Sequence, residues 1–139
     1  MTLVSTSRKA APAIRALARG LAFALGGRYL ARGKTGLREL VTLDRSLFLF
    51  IREVDGLRLR IFQDGEPGPC YRVVAHEERV RSGPIDRRLR ASDRVGAELP
   101  PGLGAEPLDD GWDLGYDGPQ RLRYRLRLVP EEGTPGVDA

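Results

Sequence analysis

With 139 residues, of which 41% are hydrophobic and 30% charged, the chain has the size and composition of one globular domain that buries a core without cross-links. A single cysteine, Cys70, excludes an internal disulfide framework, so the sequence points to a reducing compartment, cytoplasmic or organellar. The net charge of +4 conceals a split: residues 1–38 hold eight basic and no acidic side chains, whereas the other 101 residues hold 15 basic and 19 acidic ones, a segment of +8 joined to a remainder of −4.

The basic segment, residues 1–38, reads as a helical arm. Pro12 suits a first helical turn, "AIRALARGLAFAL" is rich in helix formers, and "GG" at 26–27 ends the run. At about 100° per residue, Ile14, Leu17, Leu21 and Leu25 fall on one stripe, with Arg8, Arg15 and Arg19 opposite. Such an arm would bury its apolar stripe in a partner's groove while Arg8, Arg15, Arg19, Arg28 and Arg32 contact carboxylates or phosphates. A second short helix is expected from about Lys34 to Leu43. Arg15 and Arg19 interrupt the longest apolar stretch, which excludes a transmembrane span and a secretory signal, while an acid-free amphipathic start also fits an organellar transit peptide. "GGRYLARGKTG" has the ending of a phosphate-binding loop, but the required early glycine is replaced by Arg28, so no nucleotide site is expected.

Residues 39–129 are expected to form an antiparallel, β-rich body. "LFLFIREV" and "LRLRIFQ" flank Asp55-Gly56, a hairpin signal that pairs Val54 with Leu57, Arg52 with Leu59 and Phe50 with Ile61 on a core-facing side. The opposite side would pair Glu53 with Arg58 and Ile51 with Arg60. "CYRVVAHEERVR" reads as a third strand; residues 82–96 read as a short helix capped by Ser82, or as an irregular strand. Residues 96–120 carry six glycines and four prolines with no period and are expected to be one long loop. "RLRYRLRLV" closes the sheet, sending Leu122, Tyr124, Leu126 and Leu128 to one face and Arg121, Arg123, Arg125 and Arg127 to the other, with Glu53, Glu77 and Glu78 at hand as counter-charges. Residues 130–139 form an acidic tail. The fold class expected is therefore α+β: an N-terminal amphipathic helical arm, then an antiparallel sheet of four to five strands with one possible short helix.

Chemistry-bearing residues are sparse. His76 is the lone histidine, which excludes a histidine- or cysteine-based zinc site. A small metal-independent hydrolase or ribonuclease would have to use His76 with Glu77 or Glu78, and Arg79 or Arg81 on a phosphate; the bland reading of His76 is an exposed strand residue. The aspartates Asp109, Asp110, Asp113 and Asp117 lack the ligand pattern of a calcium loop and read as turns, with Trp112 and Tyr116 pinning the segment. No cofactor and no metal is expected. The sequence thus points to a non-enzymatic accessory or binding subunit that docks through its basic arm on an acidic surface, a protein assembly ahead of nucleic acid. The same arm laid on an anionic membrane is the rival.

Overall fold

The computed structural model describes residues 2–31, 36–100 and 102–131. Along these residues the elements are β1 (Thr2–Thr6), α1 (Pro12–Leu25), β2 (Arg28–Tyr29), α2 (Leu37–Leu43), β3 (Ser46–Glu53), β4 (Gly56–Gln63), β5 (Glu66–Val80), β6 (Arg90–Ala91), α3 (Asp93–Glu98), β7 (Glu106–Pro107), β8 (Leu114–Asp117) and β9 (Leu122–Pro130). The strands form one mixed sheet in the order β2-β1-β3-β4-β5-β9-β8-β6-β7, curled into a half-barrel. β1 lies between β2 and β3 and is parallel to both; β3, β4, β5, β9 and β8 follow as antiparallel neighbours. Two bulges, at Arg60/Phe62 and Val73/Ala75, add local bend and twist and help the sheet to curl.

α1 fills the hollow of that curl. Its range follows local rules: Pro12 opens it, and Gly26 closes it in the left-handed conformation (φ 65°). Its apolar side meets strands from both ends of the sheet. Leu17, Ala18 and Leu21 pack in one core with Val4 of β1, Phe48 and Phe50 of β3, Leu59 and Ile61 of β4, and Tyr124 and Leu126 of β9. Two fully buried leucines contribute about 1.5–3 kcal/mol each. A tyrosine ladder seals the far side: Tyr116 and Tyr124 stand 5.5 Å apart, and the Tyr116 hydroxyl donates to the Leu17 carbonyl at 2.8 Å. Glycine makes room for this. A Cβ on Gly20 would lie 2.6 Å from Cε2 of Tyr124, and one on Gly118 would lie 2.7 Å from the same atom.

α2 covers part of the other face, where Leu40 packs with Leu3, Leu47, Leu49 and Phe62. β1 and β3 are therefore buried on both sides, as strands enclosed in parallel pairing usually are. That explains why "LFLF" at 47–50 is continuously apolar rather than alternating.

Three expectations from the sequence are corrected here. The sheet has nine strands among the described residues, not four to five, and it is mixed rather than antiparallel. The N-terminal segment is not an arm: β1 sits inside the sheet and α1 inside its curl, because the stripe that suited a partner's groove suits the protein's own core equally well. The glycine-rich span 96–120 is not one loop, since it holds the second half of α3 and all of β7 and β8. Smaller differences follow local chemistry. The β3–β4 connection is Val54-Asp55, so Arg52 pairs with Leu57, Ile51 with Arg58 and Phe50 with Leu59, each partner two residues along β4 from the expected register. Gly56 takes φ 141° just after the turn, while Val54 and Asp55 keep negative φ, so this is not a primed turn. The face assignment is unaffected: Phe50, Leu59 and Ile61 point inward. Ser92, rather than Ser82, caps the small helix, accepting from the amide of Val95. Arg32, Lys34 and the rest of the 32–35 segment, and the tail beyond Glu131, lie outside the described residues. No helix among the described residues is long and apolar enough to cross a membrane.

Candidate functional site

The arginines divide into two populations, and the division follows from strand alternation. On β9, Tyr124, Leu126 and Leu128 face α1, so Arg123, Arg125 and Arg127 point the other way. There each finds a partner. Arg123 forks onto Asp117 at 2.7 and 3.3 Å; Arg125 bonds Glu77 across the sheet and Asp110 at 2.9 Å. Arg127 donates to the Gly111 carbonyl, and it and Arg125 stack on Trp112 at 4.8 and 5.2 Å. The acidic segment 109–117 thus works as a counter-charge strap for β9. Asp113 does the same for the backbone, accepting from the Leu128 amide, the Ser92 hydroxyl and Arg94.

Asp117 is the centre of this network. Its side chain is 0% exposed and accepts from Arg90, Arg123 and the Asp86 amide. Burial alone would raise its carboxyl pKa; the Arg123 hydrogen bond, the Asp86 amide and the charges of Arg123 and Arg90 outweigh that and hold it below the usual carboxylate value. Nearby, Asp86 is held low by Arg88. At the opposite corner Arg58, 7% exposed, is gripped by Asp55 and Glu131.

The second population surrounds α1. Arg15 and Arg19 stand one turn apart on its exposed side, in the same row as Phe23. Arg19 lies over the Tyr29 ring at 5.3 Å, and Arg87, from the β5–β6 connection, lies over Phe23 at 4.4 Å and donates to its carbonyl. The β8–β9 turn packs against the helix where Gly118 meets Gly20, which brings in Arg121 and also Arg81, bonded to the Gly118 and Leu122 carbonyls. Arg15, Arg19, Arg87 and Arg121 are exposed, and none has a carboxylate partner among the described residues. α1 itself contains no acidic residue.

The residues singled out from sequence distribute as follows. Arg8, Arg15 and Arg19 are exposed; Arg28 is exposed but paired with Asp44 at 3.2 Å. Leu17 and Leu21 are in the core, and Ile14 and Leu25 are half-buried against it, so none of these four offers a free apolar stripe. His76 is exposed on β5 opposite Leu126, with no hydrogen-bond partner among the described residues. Alternation separates its neighbours: Glu78 shares its face and meets the Tyr124 hydroxyl, whereas Glu77 is on the other face with Arg125 and Arg79. Burial first, then Glu78, pushes Tyr124 up to about 12. Cys70 is buried. Among the described residues no group of three His, Cys, Asp or Glu side chains is placed to hold a metal. Arg87 is not among the residues singled out from sequence, although the basic run "DRRLR" at 86–90 was an available signal; Arg121, expected in the row of Arg123, Arg125 and Arg127, lies instead in the turn before β9 with φ 62°.

The sequence matches no protein-family model and no curated protein. Among solved structures the fold finds a counterpart.

The chain resembles Mil, an archaeal Imp4-like protein.

The TM-score is 0.62, with the likeness covering 94% of this chain and 100% of Mil at 17% sequence identity. At that identity the likeness is one of fold.

Proposed function

We propose that the protein is a non-enzymatic accessory subunit that holds a nucleic-acid strand by its phosphate backbone, through the arginine flank of α1. One observation carries the reading: on the open sheet face Arg90, Arg123 and Arg125 are matched to carboxylates and Arg127 is held by a carbonyl and Trp112, while Arg15, Arg19, Arg87 and Arg121 around α1 have no carboxylate partner among the described residues. With the leucines of α1 used inside the core, the exposed side offers charge without an apolar anchor. That combination suits a phosphate backbone better than a protein groove, which would draw on buried apolar contacts. Arginine planes held against Tyr29 and Phe23 also keep their outer faces open for stacking on bases. The likeness to an Imp4-like protein is compatible with an accessory role and names no partner.

The test is an anisotropy titration of a labelled single-stranded oligonucleotide over a salt series. Wild type should bind with an affinity that falls as salt rises, and Arg15→Glu with Arg19→Glu should lower the log–log salt slope by about 1.4, some 0.7 per lost phosphate contact on a single strand. Arg127→Gln, on the opposite face, should leave the curve in place. Salt-independent binding, or loss only in Arg127→Gln, overturns the proposal; binding of an acidic protein surface with no oligonucleotide affinity replaces it by protein docking.

A further inference from the structure

The face turned away from α1 contains a hollow of about 130 Å³ between β6, β8 and β9, lined by Arg90, Leu108, Asp110, Gly115, Arg123 and Arg125. Three guanidiniums converge on it, and two of them are fixed from behind: Arg90 and Arg123 both bond the fully buried Asp117, leaving Nε of Arg90 and Nη1 of Arg123 without an acceptor among the described residues. The floor is Gly115, whose missing side chain opens the space. Asp110 is the one carboxylate in the lining; it comes from the exposed strap and sits on Nη1 of Arg125 at 2.9 Å, 39% exposed. The surrounding ion-pair network is balanced only with Asp110 turned in. Arg79, Arg88, Arg90, Arg123 and Arg125 face Glu77, Asp86, Glu106, Asp110 and Asp117, five charges against five.

We propose that this hollow is an oxyanion subsite that takes a phosphate group, and that Asp110 is its displaceable internal stand-in. Swinging Asp110 out leaves one positive charge facing the hollow, with two preset N–H donors beside the Arg125 fork that Asp110 vacates. Three convergent guanidiniums match the planar, forked recognition of phosphate oxygens. The volume is well below the roughly 300–1,000 Å³ of a site for a drug-sized molecule, so it admits a terminal phosphate and excludes a nucleoside. The subsite lies on the face opposite the α1 flank and does not rest on the reading given above.

The experiment is a calorimetric titration with inorganic phosphate, repeated with a 5′-phosphorylated dinucleotide and its 5′-hydroxyl counterpart. Asp110→Asn removes the competing charge and should tighten phosphate binding by about tenfold. Gly115→Ala puts a methyl in the floor at 3.4 Å from Leu108 Cδ2 and 3.8 Å from Arg90 Nε, ordinary contacts that leave the fold standing, and should weaken it by about tenfold. Arg15→Glu with Arg19→Glu should leave it unchanged, which separates this site from the α1 flank. A response to the phosphorylated dinucleotide and not to the hydroxyl form assigns the subsite to strand ends, and a response to inorganic phosphate alone assigns it to the free ion. No phosphate binding by Asp110→Asn, or equal affinity in Gly115→Ala and wild type, overturns the proposal.

Discussion

Replacing Gly20 by alanine sets two effects of opposite sign against each other. In an isolated helix the change is favourable by about 1 kcal/mol, since alanine costs less backbone entropy. Here the new methyl would lie 2.6 Å from Cε2 and 2.9 Å from Cδ2 of Tyr124, and 3.2 Å from Cε2 of Tyr116. Carbon atoms settle at about 3.5–4.0 Å, so the overlap approaches an ångström. Neither partner can give way cheaply. The Tyr124 ring is 3% exposed and backed by Gly118, whose own Cβ would clash with it, and sliding α1 outward breaks the bond between the Tyr116 hydroxyl and the Leu17 carbonyl. Overpacking of this kind costs about 1–3 kcal/mol, and the strained hydrogen bond adds about 1. Gly20→Ala should therefore destabilise the protein by about 1–3 kcal/mol, read as a lower urea midpoint at unchanged slope. In a Tyr124→Leu background, where the ring is gone, the same substitution should turn neutral or stabilising, giving a coupling energy of about 2 kcal/mol. Gain of stability from Gly20→Ala in the wild-type background would show that helix propensity decides, and that α1 is not seated against the tyrosines.

Other consequences of the architecture are open to measurement. Asp117→Asn leaves Arg90 and Arg123 without their buried counter-charge and should cost about 3–5 kcal/mol by thermal or urea unfolding; a wild-type midpoint would refute the central role given to that carboxylate. Because Asp117, Asp86 and Asp55 are all held below their ordinary value of 3.8, the stability they add is full above that pH and is lost as the pH falls below it through their folded-state values, so an unfolding midpoint that is flat down to pH 3 counts against the pairing. At the alkaline end Tyr124 has its folded value raised to about 12 from 10.0, so its contribution is intact below pH 10 and disappears between 10 and 12; tyrosinate absorbance at pH 10 that is lost in Tyr124→Phe, with native structure intact, would contradict its burial beside Glu78. Gly56→Val forces a branched residue to φ 141° and should lower stability by about 1–3 kcal/mol, with no loss expected only if the β3–β4 turn is built differently.

What the sequence made legible was local. Pro12 and Gly26 mark the ends of α1 because the first turn of a helix needs no amide and its exit needs a left-handed residue. Alternation along 122–128 placed the arginines on the correct face, and Glu77 was rightly among their expected partners. The other partners, Asp110 and Asp117, come from a segment read as a loop, since "LGYD" is too short and too glycine-containing to announce a strand. β1 escaped for a related reason: five residues buried on both faces do not alternate, and no turn signal frames them. The acid-free composition of residues 1–38 was real, but charge and an apolar stripe do not distinguish a helix that seeks a partner from one that plugs its own sheet. Only the strands that curl around it do, and they lie up to a hundred positions further on. The candidate flank inherits the same limit: Arg15 and Arg19 were visible in the sequence, whereas Arg87 and Arg121 join them only through folding.

The seating of α1 also sets the order in which the protein can be built. β3, β4 and the first half of β5 form a meander of near neighbours that can pair as soon as they are made, but the bond from Tyr116 to Leu17 spans 99 residues. During synthesis α1 emerges before the strands from β3 onward that cover it, so Leu17 and Leu21 remain uncovered on the β8 side until that strand has left the ribosome. Until then the apolar side of α1 lies open beneath an outward face that carries Arg15 and Arg19.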